Sequence, residues 1–355
     1  MNAPLPRVAT VRAVNPADRS EAARIDAWVR ACADATPFHL TAWSRAVAEG
    51  CGQRSHFLIA ERGGSLCGLL PLSEIHSPLF GRALVSAGFA VGGGILADDP
   101  RDVDALAAAA WILRDRLSCP SVELRGGALP SGGWNREEGA YAGFVRPLAV
   151  DDEAELLAIP RKQRAEVRRA FGLGLEVRTG RDETERADHY AVYAQSVRNL
   201  GTPVFPRALF DAVLDRFGGE ADILTVLHEG RPVASVLSLY FSGCVMPYWG
   251  GGTAAARGLR ANDFMYFALM GHARARGCDR FDFGRSKLGT GAFAFKKNWG
   301  FTPTPLTYAV RTVDGEKPRQ INPLSPRYRL QVAAWRRLPL WLANRIGPPI
   351  ARGLG

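Results

Sequence analysis

Short runs of branched and aromatic residues alternate with stretches of helical periodicity along the whole chain, and the order of elements in the first part is echoed in the second. Strand patterns fall at residues 8–14, 57–61, 66–72 and 122–125, with a hairpin across Gly63-Gly64 and a glycine-rich strand region at 83–95. Helical patterns occupy 21–35, 40–49 and the alanine-rich 102–117. From 151 the pattern restarts with an acid-rich helical stretch to 170, divided by Pro160, then a strand at 175–178 and helices at 188–199 and 206–217. Strands at 222–228, 233–241 and 245–249, a helix at 261–276 and strands at 280–283 and 304–313 complete it. Such interleaving predicts an α/β (α+β) protein of mixed sheets flanked by helices. The 355 residues suffice for about two domains of roughly 150 residues each. Boundaries are expected at 1–150, 151–315 and a tail at 316–355, the two domains sharing a fold without an identical sequence repeat.

Composition narrows the class. Hydrophobic residues at 47% and charged ones at 23% belong to a folded protein, so intrinsic disorder is excluded. A net charge of +10 points to polyanionic partners: nucleic acid, diphosphate carriers or anionic lipid. The six cysteines include no C-x-x-C pair and read as thiols of a reducing compartment. The first twenty residues lack a continuous apolar core of the secretory type, and no window approaches the roughly 20 apolar residues of a membrane span. The expected location is cytoplasmic, with the inner face of the inner membrane within reach of a basic tail.

No P-loop, H-E-x-x-H, G-x-S-x-G or EF-hand pattern occurs, so phosphate-loop hydrolysis and zinc proteolysis are disfavoured and no metal site is expected. Gly284-Arg285-Ser286-Lys287-Leu288-Gly289 misses the nucleophile-elbow spacing by one residue. His272 falls within the apolar stripe of Phe264, Met265 and Ala268 and reads as a core histidine.

Three segments carry candidate chemistry. Five basic residues follow Pro160 in Arg161-Lys162-Gln163-Arg164-Ala165-Glu166-Val167-Arg168-Arg169, at a helix start; they are either a phosphate site or a solvated face. Tyr248-Trp249-Gly250-Gly251-Gly252 precedes a helix that Asn262 or Asp263 could cap; the glycines either admit a ligand or form a bulge, and the two aromatics either line a site or pack internally. Asp282, Arg285 and Ser286 end a strand, and a glycine-rich loop and aromatic stretch with Phe295, Lys296 and Lys297 follow. These could build a pocket of fixed positive charge, although Asp282 could equally serve in a structural ion pair.

Taken with the entry stretch Thr36-Pro37-Phe38-His39-Leu40 and Trp43, and with the order Pro160-Arg161-Lys162-Gln163-Arg164, Tyr248-Trp249-Gly250-Gly251, Phe283-Gly284-Arg285-Ser286 and Phe295-Lys296-Lys297-Asn298-Trp299-Gly300-Phe301, the chain resembles the FemAB-like peptidyltransferases of the GNAT-type acyltransferase superfamily. The likeness is greatest to the bacterial branch associated with exosortase and PEP-CTERM systems. The resemblance implies tandem GNAT-like domains with a cleft between them. It also implies transfer of an acyl or aminoacyl group onto an amine of a cell-envelope or exopolysaccharide-linked precursor.

By that resemblance Lys296 is the candidate for stabilising the oxyanion; Asp282 and Arg285, a carboxylate and a guanidinium at the strand end, are catalytic candidates on their own chemistry. Substrate contacts are expected from Arg161, Lys162, Arg164, Tyr248, Trp249, Gly250, Gly251, Asn262, Ser286 and Phe295. The acetyl-CoA branch carries a loop of the form Gln/Arg-x-x-Gly-x-Gly/Ala before a helix, whereas here it begins with Ala255 and has Arg260 in its last position. The donor therefore stays open between acyl-CoA and aminoacyl-tRNA, with no resident cofactor. A non-catalytic binder of a polysaccharide or lipid-diphosphate precursor is the alternative, and an RNA-binding module rests on charge alone.

From Glu316 onward, eight Lys or Arg are interleaved with Trp335, Leu338, Leu340, Trp341, Leu342 and Ile346. This tail is expected to pack on the second domain, to dimerise, or to touch a membrane surface.

Overall fold

The computed structural model describes residues 9–316 and 326–355. Two compact units emerge, Met1–Glu138 with Thr307–Ile321 and Arg352–Gly355, and Gly139–Leu306 with Asn322–Ala351. Each is a mixed sheet flanked by helices, as the alternation predicts.

In the first unit the elements run β1 (Thr10–Val14), α1 (Arg19–Ala31), α2 (Thr41–Cys51), β2 (Arg54–Arg62), β3 (Ser65–Ser77), β4 (Gly81–Ser86), β5 (Leu96–Ala97), α3 (Pro100–Arg116) and β6 (Ser121–Arg125). The β2–β3 hairpin turns at Gly63-Gly64, both with positive φ, which is what a two-residue turn needs. Side chains on β2 alternate: Leu58 and Ala60 join the core beneath α3, with Leu106 and Ala110, while Phe57 and Ile59 are buried on the opposite face. Asp99 caps α3 by accepting the Arg101 N–H, and Pro100 sits where a helix tolerates proline.

The second unit begins with β7 (Asn135–Pro147), a strand the sequence pattern does not suggest, whose last nine residues lie in this unit. There follow α4 (Asp152–Ala158), α5 (Arg161–Phe171), β8 (Leu175–Gly180), α6 (Glu183–Leu200), α7 (Arg207–Phe217), β9 (Ala221–His228), β10 (Arg231–Phe241), β11 (Cys244–Gly252), α8 (Ala261–Ala275), β12 (Arg280–Lys287), α9 (Gly291–Asn298), β13 (Thr304–Thr312), α10 (Pro326–Arg337) and α11 (Leu340–Ala351). Its sheet order is β7-β12-β11-β10-β9-β8, antiparallel except for β11 and β12. Helix α8 packs on β9 and β10 and supplies Met265, Leu269 and Ala273 to a core with Val226 and Val236. Helix α6 also packs on β10 and β11.

The linear boundaries expected at 150 and 315 differ from these units. Residues 308–312 of β13 pair antiparallel with β6, so the end of the presumed second domain extends the first unit's sheet. The tail divides likewise: α10 and α11 pack on α6, whereas the Gly355 carbonyl accepts a hydrogen bond from Arg125 in the first unit. Edge pairing, rather than chain order, sets the units. Among the described residues no helix is long and apolar enough to cross a membrane.

Candidate active site

β11 and β12 are parallel neighbours, yet they pair only at Cys244 with Arg280 and Val245 with Phe281. Beyond those pairs no further register joins them, while along its other edge β12 pairs with β7 from Arg280 to Lys287. Its pairing with β7 contains a bulge between Asp282 and Arg285, opposite Val145 and Gly143. Gly284 within it takes φ +67°, a conformation costly for any residue with a Cβ. The Asp282 carboxylate fastens the bulge by accepting the Gly284 N–H at 2.7 Å. The sequence thus fixes where β12 is kinked, and the kink sets the aim of Arg285 and Ser286.

The residues after β12 form helix α9 rather than the loop expected from its glycines. Thr290 caps it, accepting the Phe293 N–H, and also donates to the Lys287 carbonyl. Lys296, in the second turn of this helix, reaches back to β12, where its Nζ donates to the Arg285 carbonyl at 3.0 Å. The Phe144 and Phe283 rings lie 5.4 and 5.8 Å from Nζ. Burial against these rings pulls the ammonium down to about 8, opposed by the nearby Asp282 carboxylate and reinforced by Arg285. Burial also pushes Asp282 above the usual carboxylate range, against the pull of the Gly284 N–H and Lys296. The Arg285 guanidinium stacks 4.6 Å over Tyr141 of β7. Asp282, Arg285 and Lys296 are therefore brought together by one bulge and one short helix. Tyr141 and Phe144 complete their surroundings, and the sequence pattern does not mark them because it does not mark β7. Ser286 is buried, and its Oγ has no hydrogen-bond partner among the described residues.

The other predicted residues are placed differently. Trp249 is buried, 4.7 Å from the Phe210 ring and 6.3 Å from Phe205, an internal packing role. Tyr248 is the extra residue in a register shift between β10 and β11, half-buried at 4.9 Å from Trp249. The glycines that follow are occupied by the chain itself. A Cβ at Gly250 would stand 3.1 Å from Tyr266 Oη, and one at Gly251 would collide with Ser196. At Gly252 it would meet Ala256 at 2.6 Å and Asn262 Oδ1 at 2.7 Å. The run is thus packed closely against Tyr266, Ser196, Ala256 and Asn262, a use distinct from the ligand approach or bulge that the sequence suggests. Phe295 packs edge-on or tilted against Phe283, Tyr266 and Trp299.

Neither Asn262 nor Asp263 caps α8. The N-cap is Arg260, at φ +53° and without a side-chain cap, held by an ion pair to Glu166 of α5 at 2.6 Å. Gln163 of α5 donates to Asp263. The first turn of α8 thus keeps its N–H groups without a side-chain cap, and the buried Thr253 Oγ1 and Asn262 Oδ1 on either side of this loop have no hydrogen-bond partner among the described residues. Beside the loop, α5 also starts without a side-chain cap. Arg161, Arg164, Arg168 and Arg169 line a shallow hollow on its outer face. Arg169 pairs with Glu166, while Arg161, Lys162, Arg164 and Arg168 have no ion pair among the described residues. The arrangement concentrates positive potential and open donors where a phosphate-bearing carrier can be held.

His272 is held structurally: its Nε2 lies 2.8 Å from Asp222 Oδ2, which also pairs with Arg276, while Oδ1 accepts from Tyr240.

Residues 160–297, from the start of α5 through α9, match the family model described as an acetyltransferase (GNAT) domain. No curated protein matches. Among solved structures, FemX superposes with a TM-score of 0.65 at 14% identity, over 84% of this chain and 96% of FemX. A tandem GNAT protein from the clavulanic acid biosynthesis pathway gives 0.55 at 12%, over 87% and 100%. The C-terminal domain of a putative lysylphosphatidylglycerol synthetase from Agrobacterium fabrum gives 0.53 at 16%, over 83% and 92%. At such identities the likeness is one of fold, an α/β fold shared with a tandem GNAT protein.

Proposed function

We propose that the second unit transfers an acyl or aminoacyl group from an activated ester or thioester to an amine at the diverging ends of β11 and β12. The observation that carries the reading is Lys296, a half-buried ammonium fixed on the Arg285 carbonyl beside Asp282. In the reaction the amine nitrogen attacks the carbonyl carbon, forming the C–N bond and a tetrahedral oxyanion. Collapse breaks the C–S or C–O bond to the carrier, and the leaving group takes up a proton as the amine loses one. A positioned cation at the oxyanion lowers that barrier, and removing a single such donor typically costs about 10²-fold or more in kcat. Lys296 fills that role, and Asp282 keeps it charged near neutral pH.

The carrier is held through its phosphates by the uncapped start of α8 and the cations of α5. Both acyl-CoA and aminoacyl-tRNA present the necessary anions. Arg260, at the loop position where the acetyl-CoA branch has a small residue, together with the four unpaired cations of α5, supports the larger polyanion. The acceptor is an amino group on a cell-envelope or exopolysaccharide-linked precursor, in the exosortase-associated setting; this part of the reading is supported by the order of the sequence motifs. Binding of purified protein to acetyl-CoA, a long-chain acyl-CoA and aminoacyl-tRNA, each at two salt concentrations, tests it. Saturable binding that survives salt identifies the donor, because non-specific phosphate attraction falls steeply as salt rises. Salt-labile binding to all three would favour a non-catalytic polyanion binder.

A further inference from the structure

We propose that the outward face of α10 and α11 docks on an anionic phospholipid surface, an inference independent of the transfer chemistry. Helix α11 is fastened on its inner side by small residues at four-residue steps: Ala343, Gly347 and Ala351 are buried, and a Cβ at Gly347 would stand 3.2 Å from the Val204 nitrogen. That close seat leaves the large residues outside. Trp341 is 68% exposed and Leu330 82%, with Ile346 also exposed. Arg337 and Arg345 are exposed with no ion pair among the described residues, and Arg345 lies one turn beyond Trp341.

Residues 326–355 contain six arginines and no Asp, Glu or Lys. A surface for a protein partner or for solvent would carry charges of both signs, whereas one sign interleaved with tryptophan and aliphatic side chains matches a headgroup layer. There the guanidinium groups meet phosphate and the indole sits at the apolar boundary. Arg336 is already committed, donating to the Leu200 carbonyl at 3.3 Å, and Leu200 is another exposed apolar side chain at this place. The small-residue seat fixes the helix, and the cationic, aromatic face it turns outward is complementary to anionic lipid.

Cosedimentation of the full chain with vesicles of phosphatidylcholine, with and without about one third phosphatidylglycerol, tests this. Binding to the anionic vesicles is expected, with little to the neutral ones. Arg337→Gln with Arg345→Gln should weaken it roughly 25-fold, about fivefold per arginine near the surface. Trp341→Ala should weaken it further, with an unchanged melting temperature for the arginine pair showing that the fold is kept. Absence of preference for anionic vesicles would overturn the proposal. So would vesicle binding unchanged in the arginine pair while tRNA binding falls, which would assign the face to nucleic acid. A concentration-dependent dimer abolished by Trp341→Ala, with no vesicle binding, would assign it to a second copy of the chain.

Discussion

Lys296 Nζ donates to the main-chain carbonyl of Arg285 at 3.0 Å, so the ammonium of a short helix is tied to the strand directly after the bulge that Asp282 and Gly284 create. Position and charge of the candidate oxyanion donor thus depend on one distortion of β12. Each of its parts makes a separate prediction.

The pH dependence follows from the cation. Burial brings Lys296 down to about 8, so the ammonium form is lost as pH rises through that value. Transfer at saturating donor should show an alkaline limb near pH 8. Lys296→Arg, which stays charged, should move the limb upward even if it lowers the rate. Asp282→Asn keeps an acceptor for the Gly284 N–H but removes the charge that favours the ammonium, so the limb should move down. A pH profile unchanged in both variants would detach the limb from Lys296.

Stability gives the same residue a second signature. In the unfolded chain the lysine regains its ordinary value of 10.5, against about 8 when folded. Between these values the unfolded state binds more protons, so wild-type stability rises with pH there, and below about 8 the penalty of burying the cation is full. Lys296→Met should therefore be the more stable protein at pH 7, with an advantage that shrinks as pH approaches 10.5. Chemical denaturation of both proteins at several pH values measures it, and an advantage that grows with pH would contradict the burial argument.

The glycine run of β11 is predicted to be a packing device. Gly251→Ala should cost about 1–3 kcal/mol, as overpacked cores do. Because the clash is with Ser196, adding Ser196→Gly should recover part of the loss even though glycine in α6 costs about 1 kcal/mol by itself. Strictly additive losses in urea denaturation would mean that the contact is not what excludes a Cβ at Gly251.

On α5, Arg161→Ala, Arg164→Ala and Arg168→Ala together should raise the donor KM and flatten its salt dependence, leaving kcat within about twofold. In the proposed function the three residues bind the carrier and do not touch the reacting carbon. Equal losses in kcat and kcat/KM would put them in the transition state instead.

Much of this architecture is legible in the amino-acid order. Gly63-Gly64 between two apolar runs marks the β2–β3 hairpin, and Pro160 marks the break between α4 and α5, because both act through local backbone preference. The strand β7 escapes notice because its first residues, Asn135, Arg136, Glu137 and Glu138, are polar and exposed and Gly139 interrupts the run, so its pairing comes from β12 and not from its own propensity. Helix α9 is hidden by Gly289 and Gly291, and only the Thr290 cap betrays it. At the candidate site, Lys296, Asp282 and Arg285 stand within one stretch of sequence and could be named together. Tyr141 and Phe144 reach them through a strand contact more than a hundred residues distant, which no local pattern encodes.

The most direct test is single-turnover transfer, with donor preloaded on the protein and an amino-sugar or lysyl-peptide acceptor added, comparing wild type with Lys296→Ala at pH 7. Donor binding should be unchanged and the transfer rate lower by about 10²-fold or more. A rate within a few-fold of wild type, with donor still bound, would contradict the oxyanion role of Lys296.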